Sequence, residues 1–275
     1  MTTLIQISDT HLLPGGELLH GRVDTAAALE GALEQVLAGG GRVDALLLTG
    51  DLTDGGAPEA YRKLRTLVEP AADKLGASPV YAMGNHDERR AFGTELLSTS
   101  DDHARDAVHR IGELRVIVLD STTPGRHEGR LEPEQLGWLR AELATPAPLG
   151  TVLVVHHPPL PSPVPGVHLL RLRDAQALAG VLDGTDVGII VTGHAHHTGC
   201  GVLAGIPVWI SPALAYRVDA LPPQGRQRGL AGSGISRIDL IDGSFVATAI
   251  GIDPAPVIYD EDDETMLRRI QAVMG

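Results

Sequence analysis

The chain has 275 residues, 43% hydrophobic and 21% charged, with 22 Lys and Arg against 35 Asp and Glu and a formal net charge of −13. That length and apolar fraction exclude a wholly disordered chain and suffice for one large domain with its own core. The acidic balance argues against a broad nucleic-acid or anionic-membrane surface, and no apolar run reaches the roughly 20 residues of a bilayer span.

In chain order, strands are predicted at residues 3–7, 45–49, 80–83, 116–119, 152–155, 188–191 and 208–210, each a short apolar run closed by polar residues. Two later strands, 235–241 and 245–250, meet across Asp242-Gly243, a hairpin signal. Helical patterns lie between them. Asp24 reads as the N-cap of a helix over 25–37, stopped by Gly39-Gly40-Gly41. Pro58 opens a second helix through Tyr61, Leu64 and Leu67, which Pro70 is expected to break or kink. Residues 132–143 and 174–182 complete the helical set. Residues 158–167, with five prolines, and 221–234, rich in Gly, Pro and Arg, read as surface loops. Strands alternating with helices predict an α/β fold with a largely parallel core sheet. The expected division is a domain over 1–253 and a tail over 254–275, where an acidic run at 260–264 precedes a short amphipathic segment, 266–274. Cys200, the one cysteine, cannot close an internal disulfide and reads as a small buried hydrophobe. The opening MTTLIQISDT lacks the basic segment of an export signal, so a cytoplasmic location is expected.

Five polar clusters each follow a predicted strand: Asp9-Thr10-His11, Gly50-Asp51, Gly84-Asn85-His86-Asp87, His156-His157 and Gly193-His194-Ala195-His196. Loops at the carboxyl ends of parallel strands converge on one crevice. Carboxylate, amide oxygen and neutral imidazole are ligands for borderline divalent metals, and there is no thiolate cluster for a structural zinc site. The donors are too many for one tetrahedral ion, and a shared carboxylate can bridge two ions about 3.5–4 Å apart. Taken singly, Asp9-Thr10-His11 and Gly50-Asp51 read as polar turns, His156-His157 reads equally as a loop entry, and the clusters at 193–196 and 84–87 favour chemistry; five in this order do not arise by chance.

The ordered set D-x-H, G-D, G-N-H-D, H-x-P and G-H-x-H resembles the calcineurin-like metallophosphoesterase superfamily across residues 3–213, most of the chain. Ile7-Ser8-Asp9-Thr10-His11-Leu12, Thr49-Gly50-Asp51-Leu52-Thr53-Asp54, Met83-Gly84-Asn85-His86-Asp87 and Gln135-Leu136-Gly137-Trp138-Leu139 resemble the bacterial class III cyclic nucleotide phosphodiesterases in particular. The resemblance implies a four-layer αββα sandwich of two mixed sheets, and a homodimer in many members. It implies one metal on Asp9, His11, Asp51 and His196, and a second on Asp51, Asn85, His156 and His194. His156 is preferred over His157 because the first histidine of H-x-P is the usual ligand. Two ions drawn from Mn, Fe, Zn and Co are the implied cofactors. The implied substrate is a small phosphodiester, a 3′,5′- or 2′,3′-cyclic nucleotide, attacked by a hydroxide shared between the ions. His86 and Asn85 are the catalytic candidates, with His86 as the acid that protonates the leaving oxygen. Asn85, His86, His127 and His197 are the candidate substrate contacts.

Some readings stay open on the residues alone. Asp54 and Asp87 either orient ligand histidines or serve as plain solvated or capping carboxylates. His127 is either a substrate contact or an exposed loop histidine. The ligand set does not separate a cyclic nucleotide phosphodiesterase from a broader phosphodiesterase or phosphomonoesterase. A non-catalytic scaffold is disfavoured because every motif position holds a competent residue. A nuclease is disfavoured by the charge, although Arg217, Arg226 and Arg228 form a local basic group in the sequence.

Overall fold

The structure, a computed structural model, describes residues 1–274. Strand β1 (Thr2–Ile7) is followed by helix α1 (Thr25–Ala38), β2 (Ala45–Thr49), α2 (Pro58–Leu75) and β3 (Ser78–Ala82). A short helix, α3 (Arg89–Phe92), leads to β4 (Ala107–Ile111), β5 (Leu114–Leu119), α4 (Pro133–Leu143), β6 (Thr151–Val155), α5 (Pro165–Leu170), α6 (Ala175–Leu182) and β7 (Val187–Thr192). Then come β8 (Gly199–Leu203), β9 (Ile206–Ile210), the small pair β10 (Arg217–Val218) and β11 (Gly229–Leu230), β12 (Gly234–Ile241), β13 (Ser244–Gly251) and α7 (Asp263–Met274).

Two mixed sheets result. The first has the order β13-β12-β1-β2-β3, with β1, β2 and β3 parallel and β12 antiparallel to β1. The second has the order β4-β5-β6-β7-β9-β8, with a parallel centre and antiparallel strands at both edges. Successive side chains of a strand point to opposite faces, so each central strand serves two cores. On β2, Ala45 and Leu47 join Leu4, Val80, Val116, Val118, Val152 and Val154 between the sheets. Leu46 and Leu48 instead face α1 and α2 through Leu29, Leu33, Tyr61 and Leu64. On β6, Leu153 and Val155 pack against Leu139, Leu143, Leu178 and Val181 of α4 and α6. The layers are therefore helix, sheet, sheet, helix. A strand buried on both faces reads as an unbroken apolar run, which is why β2 and β6 stand out in the sequence.

Three expectations change. The α2 helix does not stop at Pro70; it runs on to Leu75 and ends at Gly76 in the left-handed conformation, φ 66°. The carbonyl that Pro70 leaves without a donor belongs to Thr66, which is exposed, so water serves it. Strands β4 and β8 were not expected: both are edge strands whose patterns lack a full apolar face. Cys200 is exposed rather than buried, because on edge strand β8 it alternates outward with Val202. The β12–β13 hairpin forms across Asp242 (φ 48°) and Gly243 (φ 80°), the two positive φ angles that a type I′ turn requires.

After Asp253 the described residues are exposed except for half-buried Glu261 and Met266, and α7 carries no buried residue among those described. No helix among the described residues is long and apolar enough to cross a membrane.

Candidate metal centre

Parallel pairing aligns the carboxyl ends of β1, β2 and β3 in one sheet and of β6 and β7 in the other. The five clusters leave those ends and meet where the two sheets adjoin. Backbone bonds zip the loops together: Asp9 N–H donates to Gly50 O (3.0 Å), His11 N–H to Asp51 O (2.9 Å) and Gly193 N–H to His156 O (3.0 Å). Asp9, His11, Asp51, His194 and His196 all adopt positive φ, between 44° and 65°. For residues with a Cβ this costs about 1 kcal/mol or more each, and it turns neighbouring polar side chains toward a common point. The glycines of the motifs have a packing reason as well. A Cβ on Gly84 would collide with the backbone and carboxylate of Asp51, and one on Gly193 would collide with Ser8 and Asp9.

Asp9, Asp51 and His156 are almost fully buried, as are His11 and His196. No Lys or Arg among the described residues pairs with either carboxylate; the partners are histidines. His196 Nε2 lies 3.4 Å from Asp9 Oδ1, His156 Nε2 lies 3.3 Å from Asp51 Oδ2, and His11 Nε2 lies 3.7 Å from the same Asp51 oxygen.

The hydrogen bonds on the far side of each ring decide what these nitrogens are. His196 Nδ1 donates to Tyr216 O (3.0 Å), His156 Nδ1 to Thr49 O (2.9 Å) and His11 Nδ1 to the Asp54 carboxylate (2.9 Å). Carbonyls and ionised carboxylates only accept, so each Nδ1 carries the proton and each neutral ring presents a bare Nε2 lone pair. Two such lone pairs, on His11 and His196, face each other at 3.1 Å. A third, on His156, is buried without a hydrogen-bond partner against Asp51. The Asn85 Oδ1 is also buried without a partner. Lone pairs aimed at lone pairs and at carboxylates repel unless a proton or a metal cation lies among them. The donors fall into overlapping groups, Asp9 with His11 and His196, and Asp9 with Asp51 and His156, each able to hold one ion. The residues present therefore fit a pair of cations sharing this pocket.

Protonation follows the same logic. Burial pushes His196 down to about 4, and burial with the neighbouring His157 pushes His194 well below its ordinary value, so both are neutral near pH 7. Burial also acts downward on His156, but the Asp51 carboxylate outweighs it and lifts the ring to about 9. In the absence of a metal, a proton takes the cation's place between His156 and Asp51.

His157 is buried beside this group but is already engaged: Nδ1 bonds to Ser121 Oγ (2.8 Å) and Nε2 donates to His127 O (3.1 Å). It thereby braces the loop that carries His127. Burial, with the His156 charge next, pushes it down to about 3. His86 Nδ1 donates to Asp54 O (3.0 Å), and its ring sits between those of His11 (4.7 Å) and His127 (5.8 Å). His127 Nδ1 lies 3.3 Å from Asn85 Nδ2, so the structure brings His127 to the site. His197 does not join this group. Its Nε2 bonds to Ser162 Oγ (3.1 Å), and it lines an adjoining groove with His196, Thr198, Pro212 and Asp219.

The two open carboxylates take different roles. Asp54 orients His11 and lies 3.5 Å from His86 Nδ1, and the His11 hydrogen bond holds its carboxyl below the usual range. Asp87 accepts no hydrogen bond from the histidines that face Asp9 and Asp51. It accepts from the N–H groups of Leu52 (3.1 Å), Thr53 (3.1 Å) and Gly84 (2.9 Å) and from Tyr61 Oη (2.9 Å), tying the loops after β2 and β3 together. Burial and the Asp51 charge push it up to about 6. Asp87→Ala leaves those donors unpaired, and an expected loss of about 3 kcal/mol or more should appear as a lower urea midpoint. An unchanged midpoint would contradict the clamp. Sequence reasoning missed Tyr216, whose carbonyl fixes His196 and whose ring packs on it at 4.3 Å. Its one signal was position, in the loop after β9.

The family model for calcineurin-like phosphoesterases matches residues 2–198. A probable cyclic nucleotide phosphodiesterase of Rhodococcus erythropolis is 44% identical over 272 residues, covering 98% of this chain and 90% of that protein. A cAMP/cGMP dual specificity phosphodiesterase of Mycobacterium tuberculosis is 48% identical over 231 residues, covering 84% of this chain and 73% of that protein. Among solved structures, a dimetal phosphatase from Danio rerio superposes with a TM-score of 0.61 at 17% identity, covering 92% of this chain and 96% of that one.

Proposed function

The chain belongs to the calcineurin-like phosphoesterase family, and we propose that it hydrolyses cyclic nucleotides, 3′,5′-cyclic AMP or 2′,3′-cyclic nucleotides, at a two-metal centre. The observation that carries this reading is the set of Nε2 atoms of His11, His156 and His196 turned onto the buried carboxylates of Asp9 and Asp51. The cyclic nucleotide activities named for its relatives support the substrate. In this reading Asp9, His11, Asp51 and His196 hold one ion. Asp51, Asn85, His156 and His194 hold the other, and Asp51 is shared.

The ions, when bound, supply charge neutralisation at the phosphate and a water acidic enough to act as nucleophile near neutral pH. The chain supplies the rest. The departing sugar oxygen is a poor leaving group unless it receives a proton. His86 is the donor: its Nδ1 proton is held by the Asp54 carbonyl, which leaves Nε2 to carry the proton that is transferred. Its side chain is 34% exposed, so it can be reprotonated from water between turnovers. Asn85 and His127 stand together beside it, 3.3 Å apart, and contact the bound phosphodiester.

The test is a kinetic panel on metal-reconstituted protein with elemental analysis. Two ions per chain, drawn from Mn, Fe, Zn and Co, and the highest kcat/KM on a cyclic nucleotide are expected. A higher kcat/KM on a phosphomonoester or a glycerophosphodiester replaces the substrate; failure to hold any metal removes the enzymatic reading altogether.

A further inference from the structure

The loop over residues 221–234, with its arginines, has no part in the metal centre, yet the structure folds it back against one. Val218 N–H donates to His196 O (2.6 Å), and Asp219 N–H donates to Arg228 O (2.9 Å), so the β10–β11 pair is anchored directly on a ligand-bearing loop. Between this pair and the turn at residues 19–23 lies a groove of about 640 Å³, within the range that holds nucleoside-sized ligands. His20, Arg22 and Val23 form one wall; Tyr216, Gln227 and Leu230 form the other.

The groove begins one ring away from the metal centre. The Tyr216 ring is 4.3 Å from that of His196 and meets the His20 ring edge-on at 5.5 Å. The turn that presents His20 and Arg22 is braced: Leu19 is buried, Leu19 N–H donates to Val23 O (2.9 Å) and Val23 N–H to Leu19 O (3.0 Å). Arg228 is spent on Asp219 (2.5 Å), whereas Arg22 makes no ion pair among the described residues. A free guanidinium at the mouth of a groove with aromatic walls, in a chain of net charge −13, suits a flat heterocycle with acceptor atoms on its edge.

A second groove near the centre, about 420 Å³ on the Asn85 side, offers less. Its arginines are already engaged: Arg90 with Asp102 (3.1 Å), and Arg89 with Asp120 (3.2 Å) and the Thr122 carbonyl (2.9 Å).

We propose that the groove between residues 19–23 and the β10–β11 pair is the nucleobase subsite, with a purine ring against Tyr216 and His20 and its polar edge turned to Arg22. The proposal rests on the cyclic nucleotide reading above. With the phosphate at the metal pair, the base of a cyclic nucleotide lies one sugar away, and this groove, which adjoins His196 through Tyr216, offers an aromatic wall and an unspent donor.

The test uses the metal-loaded double variant His20→Ala/Arg22→Ala. Its kcat/KM on 3′,5′-cyclic AMP is compared with that on methyl p-nitrophenyl phosphate, a diester without a base. Loss of base stacking and one charged hydrogen bond should lower the ratio of the two by about tenfold or more, chiefly through KM. Adenosine titrated into wild-type and variant protein by calorimetry should bind the wild type and lose affinity by a similar factor in the variant. An unchanged ratio overturns the subsite, as does a selective loss produced by Arg90→Ala instead. A wild type that cleaves the small diester but not cyclic AMP sinks the substrate reading alone, and the adenosine titration then decides the subsite: equal binding to both proteins overturns it.

Discussion

Asp51→Asn is expected to strip the centre of metal and to lower kcat/KM on cyclic AMP by about 10³-fold or more, since the ions supply several kcal/mol of transition-state stabilisation. The Asp51 Oδ2 lies between two imidazoles, 3.3 Å from His156 Nε2 and 3.7 Å from His11 Nε2, and is the oxygen that the proposed pair of ions would share. Its Oδ1 accepts the His86 N–H at 2.8 Å, a bond that the amide oxygen of Asn can keep. The loops should therefore stay in place while the shared charge disappears. The metal-free variant should be less stable than metal-free wild type, because Asp51 is there the anion that pairs with the His156 ring, and its loss leaves that buried pair broken. Wild-type stoichiometry of metal and wild-type turnover in Asp51→Asn would remove this residue from the bridging position.

His86→Ala should leave metal content near wild type and lower kcat on cyclic AMP by about 10²–10⁴-fold, the usual contribution of a general acid. The leaving group supplies the stricter check. A sugar alkoxide needs a proton in order to depart, whereas p-nitrophenolate leaves well without one. The variant should thus lose far less on a p-nitrophenyl diester than on cyclic AMP. An equal loss on both substrates would mean that His86 acts on binding or on the fold rather than on proton transfer.

The strand-end clusters were legible because two local patterns coincide in them. A fully buried parallel strand shows as an apolar run, as in β2 and β6, and the polar residues that break the run mark its carboxyl end. Edge strands β4 and β8 were not legible, since one face of each is wet and their composition looks like loop. The same blindness misplaced Cys200, whose burial depends on which strand lies at the edge of the sheet. Pro70 misled for a related reason: the cost of a missing helical bond depends on whether water reaches the freed carbonyl, and that is a property of the packed helix.

The amino-acid sequence by itself determined the kind of chemistry available here: carboxylates, an amide and imidazoles without thiolates, spaced at strand ends in an order that points to paired divalent ions. Only the tertiary structure decided which atoms are free to act. Thr49 O fixes the His156 tautomer from 107 residues away and Tyr216 O fixes that of His196 from 20, while Ser121 and the His127 carbonyl take both nitrogens of His157 and Ser162 turns His197 aside. Every residue has a carbonyl, so no side-chain pattern marks the ones that matter. A bare nitrogen comes from a hydrogen bond made on the other side of its ring, and that bond exists only once two distant segments have packed.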